Sequence, residues 1–144
     1  MTAPRRYDHT LIVGGTGMLA SASVALAGAS RRLTSVARTR RSLAALDADV
    51  GDRGCVHHAL ALDWNEPERF LDAIDRHLAA TEPPDLVVAW IHDDALAVRL
   101  ARQLALQQRP LEFVHVLGSA RSSMGCSSRS SAARREASLV RWAR

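Results

Sequence analysis

From residue 10 to residue 117, short apolar runs alternate with segments whose apolar residues recur at helical spacing. The runs are Thr10–Val13, Arg32–Ala37, Val56–Leu62, Asp85–Ile91 and Leu111–Leu117. Each reads as a strand, the second because Thr34, Ser35 and Val36 are β-prone, the fourth because it is apolar almost throughout. The first intervening segment, Gly17 to Ser30, carries Ala20, Ala22, Ala25 and Ala27, as a helix lying flat on a sheet prefers, and Gly28 weakens its end. Thr39 is placed to cap a short helix through Leu43 and Leu46, and Gly51–Gly54 makes a turn. Asn65, Pro67 and Glu68 start a third helix, with Phe70, Leu71, Ile74 and Leu78 on one face and Pro83-Pro84 as its end. Asp93 or Asp94 caps a fourth, lined by Ala97, Leu100, Ala101, Leu104 and Ala105 and broken at Pro110. The polar pair His57-His58 puts the start of the third strand near the exposed edge of the sheet.

Five strands separated by helices, with short connections and right-handed crossovers, give a doubly wound α/β fold. Its parallel five-stranded sheet has the order 3-2-1-4-5, with helices on both faces. Ligand then belongs at the carboxyl ends of the strands, beside the switch between strands one and four.

The chemistry-bearing stretch lies at that switch. Leu11-Ile12-Val13-Gly14-Gly15-Thr16-Gly17-Met18-Leu19-Ala20 reads as strand, tight loop and helix. In that geometry free backbone N–H groups and a helix N-terminus face a phosphate. Gly14 permits the turn, Gly17 lets backbone approach a pyrophosphate, and Ala20 lets the helix lie close to the sheet. The alternative is a plain turn, since any tight strand-to-helix connection needs glycine.

Composition separates the chain into two parts. Residues 1–119 form the predicted domain. The Ser/Arg-rich stretch 120–144 has few core-forming residues and reads as a loosely docked tail, with a helix over Ala132–Trp142 as its one candidate element. The net charge of +4 belongs to this tail, because residues 1–118 hold thirteen Arg against fourteen acids. A nucleic-acid-binding body is therefore not expected. No apolar run is long enough to cross a bilayer, and residues 1–9 do not read as a secretory signal. Cys55 and Cys126 have no metal-ligand spacing, so no metal site is expected, and reduced thiols in a cytoplasmic protein are. The Phe113-Val114-His115-Val116 strand is expected to be an exposed edge, covered by the tail helix or paired with a second copy as a homo-oligomer.

With the glycine loop, the basic exit of strand two and this strand order, residues 10–119 resemble the short-chain dehydrogenase/reductase superfamily, in its short, atypical, Rossmann-like members. The resemblance implies a dinucleotide on Gly14, Gly15, Thr16, Gly17, Met18 and Leu19. Where NAD-preferring members carry an acid after strand two, this chain reads Ala37-Arg38-Thr39-Arg40-Arg41. An arginine fork holds a 2′-phosphate, so NADP is expected over NAD, on Arg38 with Thr39 or Arg40. The resemblance puts Asp63 against adenine with Trp64 as a wall; Asp63 equally suits a turn or helix cap. His92 falls near the nicotinamide-side ribose, in Trp90-Ile91-His92 where the family has Asn-Ala-Gly. Ser119 aligns with the family's catalytic serine.

The family's general acid is missing. Its tyrosine works with a lysine four residues on, whereas here the one tyrosine is Tyr7 and there is no lysine. Two functions stand: an NADP(H)-dependent oxidoreductase acting on a small molecule, with His92 as proton donor and Ser119 orienting a carbonyl, or a non-catalytic NADP(H)-binding or sensing module. An S-adenosylmethionine methyltransferase shares the loop but wants an acid where Arg38 stands.

Overall fold

The computed structural model describes residues 4–118 and 137–142. In chain order the elements are β1 (Tyr7–Val13), α1 (Ala20–Ala29), β2 (Ser30–Ala37), α2 (Arg40–Gly51), β3 (Val56–Ala61), α3 (Pro67–Ala80), β4 (Leu86–Ala89), α4 (Asp94–Ala105), β5 (Glu112–Gly118) and β6 (Ala137–Trp142). The sheet order is β3-β2-β1-β4-β5-β6. The first five strands are parallel in the expected order, and β6 adds antiparallel to β5, from Phe113 opposite Trp142 to Gly118 opposite Ala137.

The residue-by-residue alternation of side chains sends each strand's apolar set to two cores. Leu11, Val13, Val36, Val87, Ala89 and Phe113 pack with Phe70, Leu71, Ile74 and Leu78 of α3 and Leu96, Leu100 and Leu104 of α4. Ile12 and Leu33 face the other way, with Ala27 of α1 and Leu46 and Val50 of α2. Helix α1 is built of small residues, so it can approach the sheet closely. Its Ser23, fully buried, donates from Oγ to the carbonyls of Gly15 (2.8 Å) and Leu19 (3.1 Å), tying the glycine loop to the helix.

Three sequence expectations are corrected. Helix α1 begins at Ala20 rather than Gly17, because residues 14–19 are the loop itself. The Asn65/Glu68 capping box does not form: Glu66 is the N-cap, and Asn65 instead donates its N–H to the Asp63 carboxylate at 2.9 Å. Residues 137–142 of the tail form a strand and not part of a helix, and pair along the hydrogen-bonding edge of β5. Asp93 does cap α4, accepting from the Leu96 N–H at 3.1 Å.

Candidate nucleotide site

The site lies where β1 parts its two neighbours. Gly14 N–H donates to the Val36 carbonyl at 2.8 Å, extending the β1–β2 ladder, while Trp90 N–H donates to the Val13 carbonyl at 2.9 Å, extending β1–β4. Past these bonds the chain leaves in opposite directions, and a cleft of about 310 Å³ opens. Its lining comes from four places: Gly14, Thr16 and Gly17 of the β1–α1 loop; Ala37, Arg38, Thr39 and Ser42 at the exit of β2 and start of α2; Trp64 after β3; Trp90 and His92 after β4.

Each glycine of the loop answers a different constraint. Gly14 has φ +80°, and a Cβ there would stand 3.0 Å from the Trp90 carbonyl oxygen. At Gly15 a Cβ would meet Ser23 Oγ at 2.6 Å and Ile12 at 3.1 Å, so the loop is pressed onto the sheet. At Gly17 a Cβ would meet nothing within 4 Å. Gly17 lines the cleft, and packing within the fold does not require a glycine there.

Arg38 stands with its guanidinium 5.3 Å from the centre of the Trp64 ring. Thr39 is the N-cap of α2 without a side-chain capping bond, its hydroxyl being paired with Ser42 Oγ. The cleft is thus walled by an arginine, two hydroxyls and an indole on one side and bare loop backbone in the middle. No carboxylate among the described residues lines it. Beyond β4 the Trp90 and His92 rings stand 5.6 Å apart, and the Trp90 indole N–H is buried without a hydrogen-bond partner.

Of the residues singled out in the sequence, Gly14, Thr16, Gly17, Arg38, Thr39, Trp64 and His92 line the cleft. Gly15 supports the loop from beneath. Met18, Leu19, Arg40 and Asp63 are not in the lining, and the Asp63 carboxylate is engaged by Asn65 N–H. Ser119 lies outside the described residues. Three lining residues were not anticipated. Ser42 had a signal, since position 42 is one helical turn from Thr39; Ala37 and Trp90 had only their places at strand ends. Among the described residues no group of three or more potential ligands could hold a metal, and no helix is long and apolar enough to cross a membrane.

No family model and no curated protein matches the sequence. Solved structures do. The chain superposes on a citronellol catabolism dehydrogenase of Pseudomonas aeruginosa with TM-score 0.68 and 18% identity, over 85% of this chain and 61% of that one. A metagenomic short-chain oxidoreductase in complex with NADP gives TM-score 0.68 at 15% identity, over 82% and 65% of the two chains. The chain has the fold of the short-chain dehydrogenase/reductases. An NAD⁺-bound xylitol dehydrogenase shares it with TM-score 0.61 and 15% identity, over 75% and 52%. The chain spans about half the length of the solved structures it matches.

Proposed function

We propose that this chain binds NADP(H), with the dinucleotide's pyrophosphate on the Gly14–Gly17 loop and its 2′-phosphate on Arg38, Thr39 and Ser42. The observation that carries the reading is the exit of β2: an arginine and two hydroxyls line the cleft there with no carboxylate among them. An acid at that place accepts hydrogen bonds from a free ribose hydroxyl and repels a phosphate; a guanidinium does the reverse. Trp64, already stacked beneath Arg38, offers a flat apolar surface to adenine.

Bound NADPH would supply a hydride. Among the lining residues His92 alone carries a group able to give up or take a proton for a small-molecule carbonyl, and Ser119 is the candidate to orient it. An oxidoreductase and a non-catalytic binding or sensing module share this cofactor site and differ only in turnover.

Calorimetric titration with NADPH and NADH tests the proposal. NADPH is expected to bind, NADH to bind more weakly, and Arg38→Ala to weaken NADPH by about tenfold or more, the worth of a charge-assisted phosphate contact. Equal affinity for the two cofactors, untouched by Arg38→Ala, refutes the 2′-phosphate assignment. Stereospecific NADPH oxidation with any member of a carbonyl panel would decide for the oxidoreductase.

A further inference from the structure

The end of β4 carries an observation that the cofactor reading does not use. Across the sheet order, every group suited to a phosphorylated adenosine lies on the β3–β2 side of the cleft or in its middle, while the β4 side presents two aromatic rings. Trp90 has little room to move. Its N–H is bonded to β1 at the Val13 carbonyl, and its Cβ would lie 3.3 Å from any Cβ built on Gly14, so glycine loop and tryptophan are packed together. The indole N–H is buried and has no partner among the protein atoms, and the His92 ring lies tilted at 58° beside it. At about 310 Å³ the cleft is also at the low end of the roughly 300–1,000 Å³ usual for small-molecule sites.

We infer that Trp90 and His92 form a wall that ends the site after one nucleotide, so that the cleft selects a 2′-phosphorylated adenosine and the nicotinamide half of NADP(H) adds little affinity. A dinucleotide lies across the switch point with its pyrophosphate at the loop and one nucleoside on each side. On the β2 side the second phosphate meets Arg38, Thr39 and Ser42. On the β4 side the other nucleoside meets the indole wall where it would need space. Trp90 is in this view a specificity-determining residue that acts by exclusion. The inference rests on the nucleotide reading of the cleft given above.

Calorimetry on the full chain, with adenosine 2′,5′-bisphosphate and NADPH as the two probes, separates the possibilities. In the wild type the two affinities are expected to agree within about fivefold, a difference of about 1 kcal/mol. In Trp90→Ala the ratio of NADPH to bisphosphate affinity is expected to rise about tenfold. NADPH binding more than about fivefold tighter than the bisphosphate to the wild type overturns the wall, and so does a ratio that Trp90→Ala leaves unchanged. If Trp90→Ala does not fold, the wild-type ratio alone decides. Binding of neither probe to the wild type overturns something different, the nucleotide reading itself.

Discussion

His9 is fully buried in β1, yet both ring nitrogens are engaged. Nδ1 can only donate to the Glu82 carbonyl, which leaves Nε2 to accept the Thr34 hydroxyl at 2.8 Å; Thr34 Oγ1 in turn accepts from His77 Nε2 at 3.1 Å. The His58 ring packs edge-on against His77, Arg32 lies nearby, and the Asp85 carboxylate holds the backbone N–H of Asp8 and His9. Burial is the main cause holding His9 neutral, with Arg32, His77 and His58 acting in the same direction against the Glu82 hydrogen bond, and its pKa falls to about 4. His58 and His77 are lowered too, first by desolvation. The unfolded chain takes up the His9 proton near the ordinary value of 6.5 and the folded chain near 4, so between these the unfolded state binds more protons. Stability should therefore be full above the ordinary value and drop by about 3 kcal/mol by the time the pH reaches the folded one. Urea denaturation across that window should show the slope, and His9→Gln should flatten it; an equal slope in the variant would exclude His9 as the source. The loop glycines make a paired prediction at the same scale. Gly15→Ala should cost about 1–3 kcal/mol by overpacking against Ser23 and Ile12. Gly17→Ala should leave the melting temperature unchanged or slightly raised yet weaken nucleotide binding, because its new methyl meets only the cleft. Thermal melts alongside calorimetry check both.

Elements whose apolar spacing is regular were legible in the sequence. Phe70, Leu71, Ile74 and Leu78 all lie in the core, as do Ala97, Leu100 and Leu104, and the parallel order of the first five strands follows from alternation and crossover handedness. Strand β2 is less obvious, because Thr34 and Ser35 are buried polar residues in its centre. They are tolerated since each finds a histidine on its own face, Thr34 with His9 and His77, Ser35 with His57 Nε2 at 2.9 Å. No local pattern announces a pairing made 22 to 43 residues away. The glycine loop and Arg38 were legible because backbone permissiveness and charge are properties of the residue itself. Trp90 was not, because its role depends on the strand end being brought against Gly14. Helix α4 offers the cleanest test of a local signal. Asp93→Ala removes the only side-chain N-cap bond found in the helices of the described residues and should cost about 1 kcal/mol in urea denaturation. An unchanged midpoint would mean that water replaces the cap.

At the scale of the whole molecule, both edges of the sheet bear on self-association. β3 forms one edge, and the Arg5 side chain bonds to the Arg53 and Gly54 carbonyls in the turn leading into it. At the other side β5 would present its unpaired N–H and C=O groups, and the sequence expectation was that a tail helix covers them or a second copy pairs with them, whereas the tail supplies a strand. β6 takes them, over six register pairs from Phe113 to Gly118. It does so antiparallel, with Phe113 opposite Trp142 and Gly118 opposite Ala137. The basic tail thus contributes to the fold through backbone bonds, which depend little on its unusual composition. Removing residues 137–144 should then uncover β5 while leaving the β1–β4 switch and its cleft in place. Size-exclusion chromatography with light scattering should find the shortened chain at a higher apparent mass than the full chain at equal concentration, because a free apolar-flanked strand edge pairs with its own copy. NADPH affinity should be unaltered, since the cleft-lining residues all precede β5. If the shortened chain has the same mass distribution as the full one, β6 is not what protects the edge. If it loses nucleotide binding as well, the sheet depends on β6 for more than its border.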